Sequence, residues 1–248
     1  MKTICVIPSR FASQRLPGKP LFPLRGRPMI QWTIEAAQRL DFVDEVLVAT
    51  DHDGIAAAAR AAGVEAVMTD PELPSGTDRI HAAMDGRAGD VIINVQGDEP
   101  LMPPEAVQLA FDSLIRTGAD IATACVPITR REDFEAPSQV KVVRDLDDRA
   151  LYFSRSPIPS LSRRDAEEML RPGYVFGYKH LGLYIYRRAA LEKACQLPPS
   201  SLETIEKLEQ LRMLENGMRI QCVTSPRDSV GVDVPEDVAR VESLLAKG

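Results

Sequence analysis

Cysteine is scarce in this chain of 248 residues, and the four present, Cys5, Cys125, Cys195 and Cys222, form no Cys-x-x-Cys pair. That spacing signals neither a zinc site nor a disulfide framework and reads as lone thiols in a reducing compartment. Histidine is equally sparse, with only His52, His81 and His180, and none makes an obvious partner for a serine or cysteine nucleophile. No stretch reaches the ~18 apolar residues of a membrane span, and the Met1-Lys2-Thr3 start lacks the apolar core of a signal peptide. A cytoplasmic protein that touches neither membrane nor nucleic acid is expected, the latter because 36 acidic residues against 30 basic ones leave a net charge of -6 where nucleic-acid surfaces are basic. Two glycine motifs are also missing. There is no Gly-x-x-x-x-Gly-Lys-Ser/Thr and no Gly-x-Gly-x-x-Gly after the first strand, so neither the usual P-loop nor a dinucleotide fingerprint is present.

What is there begins at the N-terminus. The apolar run Thr3 to Ile7 reads as a buried strand. It opens into a segment stiffened by Pro8, Pro17 and Pro20, which carries Arg10, Arg15 and Lys19. In open α/β sheets ligands bind at the carboxyl ends of strands, and three cations on one short loop there suit a polyphosphate. A solvated basic loop is the plain alternative.

A second strand, Val91 to Val95, ends in Gln96-Gly97-Asp98. Asp98 reads either as a turn aspartate bonded to its own backbone or as a divalent-metal ligand. Near the C-terminus Asp233 precedes Pro235 and is either a helix N-cap or a second metal carboxylate. Mg²⁺ takes only one or two protein carboxylates and completes its octahedron with water and phosphate oxygens, so two strand-end aspartates suffice.

The first half alternates strands and helices. Helices are expected over Pro28–Arg39, from a cap at Asp53 to Gly63, over Thr77–Met84 and over Pro104–Thr117; strands over Val46–Thr50, Val64–Met68 and Val91–Val95. This alternation predicts a mostly parallel central sheet with helices on both faces. After Ile121 the rhythm changes, with strands expected over 140–143, 150–153 and 181–186 and a polar, mobile or partner-contacting excursion over 160–178. A helix is expected from Ser201 to Asn216, opened by a Ser200/Glu203 capping box, with Leu202, Ile205, Leu208 and Leu211 in the core and Glu203, Glu206 and Gln210 on another face. His180 and Tyr184, at an even offset on one strand, would point to one side.

Taken in order, residues 7–21 (Ile-Pro-Ser-Arg-Phe-Ala-Ser-Gln-Arg-Leu-Pro-Gly-Lys-Pro-Leu), Ser75-Gly76-Thr77-Asp78-Arg79, Asn94 to Pro100, Leu151 to Arg155, His180-Leu181-Gly182 and Gly231-Val232-Asp233 resemble the 3-deoxy-manno-octulosonate (Kdo) cytidylyltransferase family, nearly end to end. Residues 160–178 match no pattern of that family, and Val234 stands where threonine is usual. The resemblance implies an α/β fold of the nucleotide-diphospho-sugar transferase (Rossmann-like) type. Residues 1–248 would form a single nucleotidyltransferase domain with an inserted β-rich sugar-binding and dimerisation region over about 125–190. It implies a homodimer that joins CTP to Kdo with release of pyrophosphate, for lipopolysaccharide biosynthesis.

Position by position, Arg10, Ser13, Arg15 and Lys19 would hold the nucleotide, with Ser75, Gly76, Gln96 and Asp98. Lys19, Arg10, Asp98 and Asp233 would be catalytic, and Asp98 and Asp233 would bind Mg²⁺. Arg79, Gln96, Arg155, His180, Tyr184, Glu203 and Gln210 would face the sugar acid. Three competitors are a sialic-acid cytidylyltransferase, a dehydrogenase using Asp51 for ribose, and a non-catalytic sugar-nucleotide sensor.

Overall fold

The computed structural model describes residues 1–12, 16–232 and 235–246. In chain order the strands are β1 (Thr3–Ser9), β2 (Pro23–Leu24), β3 (Arg27–Pro28), β4 (Glu45–Thr50), β5 (Glu65–Met68), β6 (Val91–Val95), β7 (Ile121–Ile128), β8 (Lys141–Arg144), β9 (Ala150–Ser154), β10 (Gly177–His180), β11 (Leu183–Arg187) and β12 (Ile220–Thr224). The helices are α1 (Met29–Gln38), α2 (Asp53–Ala61), α3 (Gly76–Ala83), α4 (Pro104–Thr117), α5 (Arg131–Glu135), α6 (Ala166–Met169), α7 (Arg188–Gln196), α8 (Ser201–Glu206), α9 (Gln210–Glu215) and α10 (Pro235–Leu245). The fold is mixed α/β, as the alternation predicted.

Two compact units divide the chain: residues 1–104, 183–195 and 228–248, and residues 105–182 and 196–227. In the first, β5, β4, β1 and β6 run parallel in that order, and β11 closes the row antiparallel to β6. Parallel neighbours cannot be joined by a tight turn, which is why α1, α2 and α3 fall between successive strands. β1 is buried along its whole length, and its Cys5 pairs with Val46 on one side and Ile93 on the other. An apolar run without polar alternation is what a strand covered on both faces requires. The register sets the carboxyl ends of β1, β4 and β6 along one edge, with Ser9 beside Thr50.

In the second unit β12 lies parallel to β7, while β10, β8 and β9 follow antiparallel. Strands β7 and β12 escaped the sequence reading. Pro127 weakens the strand pattern of β7, and it occupies the one exposed position there. Within residues 160–178, expected as a mobile or partner-contacting excursion, Leu161, Met169 and Tyr174 lie against the buried Ile128, Phe134 and Phe176, while Leu170 is exposed.

Two helix expectations need correction. Helix α2 is capped by His52 rather than Asp53, with the Gly54 N–H donating to His52 Nδ1 at 3.1 Å. The expected single helix from Ser201 to Asn216 is two helices, broken at Lys207, whose φ of 55° is left-handed. The break has a cause in the side chains around it. Arg155 Nε donates to the Glu206 carbonyl at 2.9 Å and Nη2 to that of Lys207 at 3.4 Å, taking acceptors a continuing helix would use. Leu208 and Leu211 are core as expected, but Leu202 is only half-buried and Ile205 is 76% exposed. The Ser200/Glu203 capping box is present. Among the described residues, no helix is long and apolar enough to cross a membrane.

Candidate active site

The first unit carries a cleft of about 450 Å³ at the carboxyl edge of its parallel strands. Pro8, Ser9 and Arg10 at the end of β1, Gln96-Gly97-Asp98 at the end of β6, and Ser75, Gly76 and Arg79 at the start of α3 all line it. The sequence therefore brings together two strand ends and one helix start, as the α/β alternation requires of a ligand site.

Lys19 sits in a short 3-10 turn after Gly18, whose φ of 66° suits glycine. Its side chain is buried, and Nζ donates to Asp98 Oδ2 at 2.5 Å. The expected basic-loop cation and strand-end aspartate thus meet in the cleft. Arg10 lies exposed at its rim. Ser13, Arg15 and Asp233 fall outside the described residues. The chain leading to Asp233 runs beside Asp98 nonetheless, since the Val232 N–H donates to the Asp98 carbonyl at 3.1 Å.

Ser75 caps α3: its hydroxyl accepts the Asp78 N–H at 3.2 Å and donates to Asp78 Oδ2 at 2.7 Å. Gly76 is the first helical residue. A Cβ there would stand 3.5 Å from the Pro8 ring, an ordinary contact, whereas one on Gly97 would fall 2.5 Å from Ser9 Oγ and 3.2 Å from the Pro8 carbonyl. Gln96 Nε2 donates to Asn94 Oδ1 at 3.3 Å.

Arg79 has its guanidinium almost wholly enclosed. It donates to Thr69 Oγ1 at 2.5 Å and to Asp51 Oδ2 at 3.2 Å. Asp51, weighed from sequence only as a ribose ligand, is thereby the counter-ion of a buried arginine. Tyr184 lies on β11 opposite Asn94 and stacks on Tyr186 with centroids 5.9 Å apart. His180 closes β10, so the two belong to different strands and the even-offset reading of a shared face does not hold.

The other residues assigned to the sugar sit in the second unit. His180 Nε2 and Thr123 Oγ1 are 2.8 Å apart, and the ring meets Phe153 edge-on. Burial pulls the imidazole down to about 3. Glu203 accepts Arg212 Nε at 2.8 Å and Nη2 at 2.6 Å, and this hydrogen-bonded pair keeps its carboxyl below the usual range. Gln210 is buried, and the break at Lys207 removes the common helical face expected for Glu203, Glu206 and Gln210. Arg155 is held by the carbonyls of Pro137, Glu206 and Lys207. Sequence reasoning missed Phe11 and His52, whose rings stack 3.9 Å apart at 11°. Nothing in the chain's periodicity announces a pairing between a loop residue and a helix cap.

Residues 4–220 match the model of a family described as cytidylyltransferase. The chain belongs to the cytidylyltransferase family. Its members are nucleotidyltransferases, and the similarity to several runs the full length. A 3-deoxy-manno-octulosonate cytidylyltransferase of Bdellovibrio bacteriovorus is 49% identical over 99% of this chain and 98% of its own. Another, of Chloroherpeton thalassium, is 45% identical over 100% and 99%. Among solved structures, a CMP:2-keto-3-deoxy-manno-octonic acid synthetase complexed with CTP is similar at a TM-score of 0.90 and 40% identity, covering 100% of this chain and 99% of that one. A cytidylyltransferase from Leptospira borgpetersenii, at a TM-score of 0.65 and 16% identity over 100% and 88%, shares the fold.

Within this cytidylyltransferase the cleft offers hard oxygen donors. No group of three or more His, Cys, Asp or Glu side chains converges among the described residues. The Asp98 carboxylate, partly exposed beside Lys19, is a hard oxygen donor of the kind that suits a cation taking most of its ligands from water and phosphate.

Proposed function

We propose that this chain couples CTP with Kdo to give CMP-Kdo and pyrophosphate, supplying lipopolysaccharide biosynthesis as a cytoplasmic homodimer whose 248 residues act as one nucleotidyltransferase domain. The observation that carries the reading is the meeting of Lys19 with Asp98 in a strand-edge cleft, in a chain 49% identical end to end to a Kdo cytidylyltransferase.

The anomeric hydroxyl of the sugar attacks the α-phosphorus. A new O–P bond forms, the bond from the α-phosphorus to the oxygen bridging it to the β-phosphate breaks, pyrophosphate leaves in line, and the hydroxyl proton passes to solvent. Such a transfer needs positioning and charge neutralisation more than covalent participation by the protein. Arg10, Arg15 and Lys19 offset charge on the triphosphate, and most of all the charge that grows on departing pyrophosphate. Ser13 assists at the phosphates. Ser75 and Gly76 stand where backbone and hydroxyl groups can discriminate a base. Asp98 and Asp233 would hold Mg²⁺, which would supply neutralisation of phosphate charge and polarisation of the α-phosphate. Gln96, Arg79, Arg155, His180, Tyr184, Glu203 and Gln210 serve the sugar acid. For Arg79, His180, Glu203 and Arg155, whose polar atoms are already engaged by Asp51 and Thr69, by Thr123, by Arg212 and by three carbonyls, that service is to shape the site.

The test is pyrophosphate release from CTP, Mg²⁺ and a panel of 2-keto sugar acids. Kdo is expected to be turned over and N-acetylneuraminic acid hardly at all, CTP to be preferred over ATP and GTP, and EDTA to stop the reaction. Equal kcat/KM for the two sugars would overturn the Kdo assignment.

A further inference from the structure

Between Ser9 and the turn at Lys19 no strand or helix holds the chain among its described residues. Cations on such a segment must be ordered when an anion binds, and the ordering is subtracted from affinity. Phe11 supplies four restraints at that point. Its N–H donates to Asp51 Oδ1 at 2.9 Å, and its carbonyl accepts the Gly18 N–H at 3.3 Å. One face of its ring stacks on His52 at 3.9 Å. Its edge meets Gly18 so closely that a Cβ there would stand 3.2 Å from the ring. Phe11 follows Arg10, and Gly18 precedes Lys19, so these contacts tie the backbones of both cations together. Asp51 is itself fixed by the buried Arg79. With 39% of its surface exposed, Phe11 adds little to any core.

We propose that Phe11 and His52 form a positioning clasp that pre-orders the cationic segment, so that Arg10 and Lys19 meet a nucleoside triphosphate without first being arranged by it. The clasp rests on reading the cleft as a triphosphate site. Both are positioning residues: neither needs to touch the nucleotide.

CTP binding is measured by titration calorimetry in Mg²⁺ without sugar, using Phe11→Ala and His52→Asn. Asparagine keeps an acceptor for the α2 cap and removes only the ring. Each variant is expected to weaken CTP binding about 10-fold, the upper range for one aromatic pair. The double variant should be no weaker than either single one, because both break the same contact. Phe11→Leu, which keeps bulk against Gly18 without the stack, should match Phe11→Ala. In turnover the loss should fall on KM for CTP, with kcat within about threefold and KM for the sugar unchanged, as for loss of uniform binding. Unchanged affinity in both single variants, or losses that multiply in the double variant, would overturn the clasp. Lys19→Ala serves as the control: if it too left CTP affinity unchanged, the triphosphate reading itself would fail.

Discussion

Acid should unfold this protein through His180 before it does so through carboxylates. Burial lowers the imidazole from 6.5 to about 3 in the folded chain, while the unfolded chain keeps the ordinary value near 6.5. The folded state therefore stays neutral at this site as pH falls, and the unfolded state takes up a proton. The contribution is whole above pH 6.5 and is lost progressively towards pH 3. Integrating one proton over pH 7 to 5 gives a loss of about 2 kcal/mol, and shifting the folded value by a full unit changes that little. Carboxylates whose values are lowered, such as Glu203, titrate below this window, which isolates the histidine. The assay is urea unfolding at pH 7, 6 and 5 for wild type and His180→Gln. His52 and His81 are common to both, so the difference between the two curves reports His180. The wild type should lose about 2 kcal/mol more than the variant over that span. Parallel curves would refute a neutral, enclosed imidazole.

Two further outcomes follow from the cleft. Lys19→Ala should slow turnover roughly 10²–10³-fold, the effect of removing one preorganised donor from a developing anion. Lys19→Arg should rescue only in part, since a planar fork does not replace a point charge, and unchanged kcat and KM for CTP would make the loop a solvated surface. Asp51→Asn leaves the enclosed Arg79 without its counter-ion and should cost about 3 kcal/mol in urea unfolding; a loss below about 1 kcal/mol would show that water or Thr69 already satisfies the guanidinium.

The parallel half of the fold was legible because its signals are local. The expected Val91–Val95 strand and Pro104–Thr117 helix coincide with β6 and α4 to the residue, the first from a run apolar but for Asn94 and the second from its opening proline and helical spacing. The cleft was legible for the same reason, since strand ends, turn glycines and charge clusters are readable in a line of text. What escaped depends on distant partners. The break at Lys207 is made by Arg155, some fifty residues away, against a sequence whose spacing fits one helix. Phe11 and His52 are forty-one positions apart and share no pattern. Glu203 was legible as a capping residue, but the Arg212 fork that occupies its carboxylate was not.

The two glycines that border the cleft have opposite consequences for anyone wishing to change the nucleotide it accepts. Gly97 abuts the backbone of Pro8 and the hydroxyl of Ser9 with no room for a methyl group. That wall has been reduced to main chain already, so there is nothing left to trim and nothing can be added. Gly76 stands across from Pro8 at an ordinary contact distance and at a helix start that tolerates side chains. Under the proposed reading, in which the base lies by Ser75 and Gly76, a new base would be selected at the turn from Leu73 to Gly76 rather than at Gly97.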